Sequence, residues 1–585
     1  MALFFPKRLA ASDLLTSECF DCQEGFGDGV FQWRLLILCT IAIFLVNGQI
    51  VLIPAISSDV DHWCKRPAGS NISADAWKNV AIPVGADGRH SRCYVFENPG
   101  YSENDTLAVV KCYDWDYDKA QASTSLITAW SLVCDRRALL AVIMAAQQVG
   151  SVVFLLLSGT AADLLGRMPI LLVMTTAAIV STVAGCLATD YVMYTLAVFF
   201  VYGSVLACAT CTVIVSFEVT VHEHRPLYII FSATASFLLG DVWFAIIRVL
   251  KLSWQLKQAV FLSPTLVLLA AFVVVQESPR WLIAKGHLEE AEAVMMSAAE
   301  HNHFPLSGTA CLMDKLRRDR WKYRNSAPAS DHERLLLDAR SVRRRALTMF
   351  TFLFSLMFSA FTDVISIMMR SDDNEDRSVW FMVVVLVGTL LSYMAMYMMV
   401  TRFALVKVLS VSSAVAGCTH CLLSFTASFY SVATVLLALS HGILAVAVGV
   451  SIAYIMEIVP TAVRGVALCW ALACGSVGVG CACSTFVLQQ LGREDVAFGT
   501  TALLLVVSLF VISDLPPPAG IECAVSDVAA KRHASFSSKA SIDHMKKSLD
   551  SCPVGKISPM SFRSQRSLAD GSLRTSSGHS DTHNF

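Results

Sequence analysis

The sequence predicts an all-α membrane protein, with twelve transmembrane helices in two pseudo-symmetric halves of six. Three observations lead there. Of 585 residues, 55% are hydrophobic and only 16% are charged, whereas ordinary soluble domains carry about 25% charge. Twelve apolar runs are long enough to cross ~30 Å of hydrocarbon at 1.5 Å per residue. A long polar, basic stretch separates the first six from the last six. Within lipid only a helix satisfies every backbone group in a single segment, so each run is a helix.

The spans fall near 33–56, 137–159, 168–188, 191–214, 227–250, 256–276, 346–368, 379–400, 403–426, 429–453, 464–488 and 495–514. Spans three and four, and spans nine and ten, have almost no linker and form tight hairpins. Residues 1–32 contain Asp13, Glu18, Asp21, Glu24 and Asp28 and no apolar h-region, so no cleavable leader is expected there. This segment reads as cytoplasmic, with span one acting as its own insertion signal.

Two cues orient the chain. The loop 57–136 holds two glycan acceptor sequons, at Asn71 and Asn104, and four cysteines, Cys64, Cys93, Cys112 and Cys134. An even cysteine count in one long loop fits disulfides in an oxidising compartment, with three pairings open. The loop 277–345 carries Lys315, Arg317, Arg318, Arg320, Lys322 and Arg324, then Arg340, Arg343, Arg344 and Arg345 against span seven. Basic residues beside spans remain cytoplasmic. Loop one is therefore expected outside, and the middle loop and both termini inside.

The halves 33–276 and 346–514 echo each other. After span four the chain has Glu218, six residues, then Arg225; after span ten it has Glu457, six residues, then Arg464. Parallel repeats are a transporter architecture, with the binding site at the repeat interface near the midplane. A further charged turn, Gly159 through Asp163 and Gly166 to Arg167, joins spans two and three. A solvated turn with an incidental ion pair would read the same way.

Together these motifs resemble the organic cation/anion/carnitine transporter family (solute carrier family 22) of the major facilitator superfamily. Gly159, Asp163, Gly166 and Arg167 fit the superfamily signature. Glu277-Ser278-Pro279-Arg280-Trp281-Leu282 matches a more specific family motif, and the Glu457 to Arg464 segment matches the pattern after span ten. The large first loop ending Trp130-Ser131-Leu132-Val133-Cys134 is also typical. The resemblance covers roughly residues 10–515 and implies alternating access. It implies that Asp163, Arg167, Glu218, Arg225, Glu277, Arg280, Glu457 and Arg464 form a cytoplasmic gating network that stabilises the outward-facing state.

The sequence also departs from the family. Met168 stands where a second basic residue is usual, and the loop between spans eight and nine keeps only Arg402. Where relatives place an Asp or an Arg in span eleven, this chain has Ser476, flanked by Gly475 and Gly478. Phe354 and Phe361 take the places of a Trp and a Tyr in span seven. Aromatic faces can still hold a cation, at about 0.5–2 kcal/mol.

Ionisable residues in spans are costly, so they are functional candidates by default. Asp241 lies ~20 Å along span five and is the leading candidate for a substrate or proton partner. Gln147 and Gln148 in span two are cheaper to bury, and one of them is expected to face the other half. The substrate-binding set is thus Asp241, Phe354, Phe361, Ser476, Gln147 and Gln148. Asp363 reads as a residue of the outer mouth, and His420 as a hydrogen-bonded structural histidine. Cys469, Cys474, Cys481 and Cys483 lack metal-ligand spacing and read as small packing residues.

Residues 284–300 form an amphipathic helix, with Leu288, Ala291, Val294 and Met295 on one face. The Ser-rich tail 515–585 cannot bury a core; it offers candidate kinase or scaffold contacts. A net charge of −1 argues against nucleic-acid binding. No phosphate loop, H-E-x-x-H or G-x-S-x-G occurs, so no enzyme, cofactor or metal is expected. The expected partners are a small organic ion or zwitterion, the lipid bilayer and a coupling ion. The reading is a plasma-membrane transporter, with a non-transporting receptor or scaffold of the same fold as its alternative.

Overall fold

The computed structural model describes residues 25–513 and 515, apart from 58–59, 68–72, 86–89, 98–107, 119–124, 222–223, 250–251, 327–338, 372–374 and 460. Asn71, Asn104 and the tail lie outside the described residues. Among the described residues, eleven helices are long and apolar enough to cross a membrane. Spans one to five are Val30–Ile56, Ala138–Leu165, Arg167–Cys186, Tyr191–Val219 and Arg225–Val249; spans seven to twelve are Ala339–Ser371, Glu375–Val400, Leu405–Thr426, Tyr430–Ile458, Arg464–Gln490 and Glu494–Ile512.

Span six corrects the expectation of one unbroken helix over 256–276. It consists of two short helices, Trp254–Leu262 and Thr265–Val274, joined at Ser263-Pro264. Proline lacks the N–H for an internal helical bond, and its ring clashes with the carbonyl one turn back. The chain restarts through three-residue bonds, Leu266 N–H to the Ser263 carbonyl at 3.1 Å and Val267 N–H to the Pro264 carbonyl at 3.0 Å.

Each set of six packs in the same pattern. Span one lies against spans four, five and six, and span four also against spans two and three; span six lies against span three. Six spans later the same partners recur: seven with ten, eleven and twelve, ten with eight and nine, and twelve with nine. The sets meet chiefly where span two packs on span eleven and span five on span ten. One apolar core crosses this seam, joining Leu155, Ile214, Phe217 and Ile230 to Leu353, Ala445 and Leu468. Outward, Leu172, Leu391, Leu503 and Phe510 stand exposed on spans three, eight and twelve. An apolar exterior of this kind suits contact with lipid tails.

Two glycines set close approaches. Gly166 (φ +111°) makes the turn between spans two and three, a backbone region where Cβ is strained. A Cβ on Gly478 would lie 2.4 Å from the Phe354 carbonyl oxygen, so spans seven and eleven touch backbone to backbone there.

The loop after span one is a small folded unit. His62–Cys64 pairs antiparallel with Trp115–Tyr117, and Tyr94–Phe96 with Val109–Lys111. Disulfides join Cys64 to Cys112 and Cys93 to Cys134, which selects one of the three pairings. Ser73, the hydroxyl residue of the first sequon, caps the helix Ala74–Ala81, accepting from Ala76 N–H at 3.2 Å.

The middle loop forms helices Pro279–Lys285, Leu288–His301 and Leu306–Ser326. Ala291, Met295, Ala298 and Ala299 are fully buried, on the face whose spacing predicts burial. Just past the second helix, the Asn302 amide donates to the Phe26 carbonyl and the Gln32 side chain, and accepts from Phe31 N–H. The segment before span one is thereby fastened to the middle loop.

Candidate functional site between the two sets of spans

At the middle-loop end, buried charges tie the two sets together. Asp163 lies on the last turn of span two, and Arg167 begins span three directly after Gly166. The Arg167 guanidinium reaches Asp163 at 3.3 Å and Glu218, on the last turn of span four, at 3.0 Å. Glu218 also receives Arg464, the first residue of span eleven, at 3.3 Å. Asp163 accepts the backbone N–H groups of Gly465 (3.2 Å) and Val466 (2.8 Å). Those amides are among the four at a helix start that have no partner within the helix. A carboxylate there also complements the helix dipole. One set of spans thus caps a helix of the other.

Neighbouring groups hold these side chains in place. Glu277 plays the same capping role for span three, accepting from Arg167 N–H at 3.0 Å and Met168 N–H at 3.1 Å. Trp281 donates its indole N–H to the Asp163 carbonyl at 3.2 Å, and its ring lies 5.6 Å from the Arg167 guanidinium. Arg225 and Arg464 stand over the Phe217 ring at 5.5 and 5.2 Å. Arg280 is buried in the helix Pro279–Lys285, and Glu457 is half-buried on the last turn of span ten. Burial lowers the Lys285 ammonium from its ordinary range, an effect that Asp163 opposes.

Deeper in the bundle, Asp241 of span five faces His441 of span ten, with Oδ1 and Nε2 3.3 Å apart. Asp241 is 21% exposed and His441 5%. The seam between the sets therefore holds a second polar contact. His441 escaped the sequence reading. The signal was present, since an ionisable residue twelve positions into an apolar span is costly by the same rule that marked Asp241.

The remaining candidates lie on spans two, seven and eleven. Gln147 donates to the Gln49 carbonyl at 3.2 Å and so serves its own set. Gln148 lies against Gly480 of span eleven, facing the other set. Ser476 is buried on span eleven. Phe354 stacks on Phe358 with centroids 6.5 Å apart, and Phe361 is buried in the apolar core.

Asp363 corrects the expectation of a residue at the mouth. It is wholly buried, bonded to His420 Nε2 at 3.0 Å and to the Ser440 hydroxyl at 2.7 Å. His420 in turn meets the Ala416 carbonyl through Nδ1 at 2.8 Å. The three side chains come from spans seven, nine and ten and form a polar staple inside one set. His62, Cys93 and Cys134 also lie close together, but the two cysteines are bonded to each other and present no thiolate.

A helical bundle that repeats its own packing six spans later, with polar groups along the seam, has the parallel-repeat architecture found among transporters. The profile of the family described as "Sugar (and other) transporter" matches residues 97–522. The chain belongs to that family, and its likeness to solute carrier family 22 extends beyond the motifs. Solute carrier family 22 member 7 of Rattus norvegicus is 28% identical over 298 residues, 48% of this chain and 55% of that protein. Member 14 of Mus musculus is 27% identical over 313 residues, 51% and 49% of the two chains. The beta-alanine transporter of Drosophila melanogaster is 27% identical over 277 residues, 42% and 45%. The chain spans about half the length of the curated relatives it matches. Among solved structures, the proton:xylose symporter XylE bound to 6-bromo-6-deoxy-D-glucose superposes with a TM-score of 0.57 at 15% identity, over 83% of this chain and 96% of that one. The fold is the major facilitator fold.

Proposed function

We propose that this protein carries small organic ions or zwitterions across the plasma membrane by alternating access. The observation that carries the reading is the seam itself. Its two sets of spans are joined at one end by Asp163, Arg167, Glu218 and Arg464, groups that can be paired in one state and parted in another. Relatives named as solute carriers and as a beta-alanine transporter support the substrate class.

In this reading, residues 33–276 and 346–514 are the rocking halves. The middle loop 277–345, the segment 1–32 and the tail 515–585 face the cytoplasm, and the disulfide loop 57–136 lies outside, glycosylated at Asn71 and Asn104. Arg225, Glu277, Arg280 and Glu457 join the gate. Asp241, Gln147, Gln148, Phe354, Phe361 and Ser476 are assigned to the substrate pocket, with Asp241 supplying its charge. The test is uptake of labelled organic cations, anions and zwitterions into vesicles from expressing cells, with surface expression verified. Accumulation of at least one compound above control vesicles is expected, and accumulation of none overturns the reading.

A further inference from the structure

We propose that Asp241 and His441 form a proton-binding site that couples solute movement to a proton gradient. This rests on the transport reading and names its coupling ion. Span five brings the carboxylate and span ten the imidazole, so the pair bridges the two moving sets rather than bracing one. Each partner keeps a buried polar atom with no hydrogen-bond partner among the described residues, Asp241 Oδ2 and His441 Nδ1. Buried polar groups are normally paired, and an orphan invites a functional explanation.

The second polar cluster shows the contrast. Asp363 has both carboxylate oxygens occupied, by His420 and Ser440, and both ring nitrogens of His420 have partners. That cluster lies within one set and has no vacant atom to take up a proton. Ser440 and His441 are adjacent, so span ten carries the closed cluster and the open pair side by side.

With Nε2–H donating to Asp241, the neutral ring leaves a lone pair on Nδ1 and the pair has a net charge of −1. A proton bound from water to that lone pair makes an imidazolium facing a carboxylate, with a net charge of zero. Its release to the opposite side restores the lone pair. Loaded, the ion pair holds spans five and ten together. Unloaded, the half-buried carboxylate lacks a counter-charge and draws a cationic or zwitterionic solute. The titratable and charged groups around His441 are Asp241 from span five, Asp363 from span seven, Tyr393 from span eight and His420 from span nine; span eleven brings no acid, Lys or His and only Arg464 at its start. Phe237 closes one side with its ring edge-on at 6.4 Å. Imidazole is the side chain whose ordinary titration lies closest to neutral pH.

The test has two arms. Purified full-length protein in liposomes is titrated by infrared difference spectroscopy from about pH 8 to about pH 5, as wild type, His441→Gln, Asp241→Asn and His420→Gln. Size-exclusion profile and melting verify folding. One protonation present in wild type and His420→Gln, and lost in His441→Gln and Asp241→Asn, is expected. A titration that both pair variants leave unchanged overturns the site. In the second arm, the labelled compounds above are offered with and without an inward gradient of about one pH unit; one coupled proton allows up to about tenfold more accumulation. Uptake indifferent to the gradient overturns coupling. Uptake of no compound overturns the transport reading instead, while the infrared arm still decides the proton site.

Discussion

Glu277 and Arg167 are 110 positions apart in the chain, yet the carboxylate of one caps the helix begun by the other. The amides of Arg167 and Met168 otherwise have no partner, because helix starts leave their first N–H groups unbonded. Glu277→Ala is expected to cost about 1–2 kcal/mol, the usual price of a lost cap. A lower thermal midpoint in detergent checks this, and Glu277→Gln, which keeps an acceptor, is expected to lose less. Gly478 supports a different kind of prediction. A side chain there meets the Phe354 backbone, which has little freedom to move. Gly478→Val is expected to force spans seven and eleven apart at about 1–3 kcal/mol. Surface expression and melting temperature report it; a variant that melts like wild type contradicts the close contact.

At the scale of elements, span six shows how one residue divides a membrane helix. Pro264 removes an internal bond and interrupts an otherwise continuous apolar run. Pro264→Ala returns the N–H and relieves the clash, so the two short helices are expected to merge. Slower hydrogen exchange over residues 262–267 would show it, and unchanged exchange would assign the break to packing instead. The loop after span one depends on covalent ties more than on a core. Its strands are three residues long, and among the described residues the apolar cluster it buries apart from the main core is Trp77, Ala81 and Ile82. Replacing Cys64 and Cys112 by Ser is expected to remove about 2–4 kcal/mol from this unit. Limited proteolysis should then cut within residues 60–118 while the spans resist.

For the whole molecule, the decisive feature is where the two sets of spans adhere. Glu218 accepts from Arg167 of its own set and Arg464 of the other. Removing one partner of a buried ion pair costs about 3–5 kcal/mol, because a charge is left without compensation. Glu218→Gln is expected to spend that cost on parting spans two and eleven at the middle-loop end. Cys469 reports it, since its side chain is buried where Gly159 of span two meets span eleven. Mass spectrometry after treatment with a membrane-permeant maleimide should find Cys469 modified in the variant and protected in wild type. Equal protection would mean that the charges do not hold this end shut.

The helical class, the spans and the doubling were legible because lipid permits few solutions. Long apolar runs must be helices, and a charged residue stands out against them. Asp163, Arg167, Glu218 and Arg464 could be named from the repeated Glu-to-Arg spacing and from the resemblance of the turn after span two to the superfamily signature. Their connections could not be read, because capping of span eleven by Asp163 and sharing of Glu218 between two arginines depend on how separate helices meet. Asp363 was assigned to a mouth because its position along span seven was known and its facing partners were not. Sequence by itself determined that this chain is a bundle of apolar helices and which buried polar groups must find partners. Tertiary structure alone decided which partner each found, since a hydrogen bond is satisfied by distance and direction in space and not by separation along the chain.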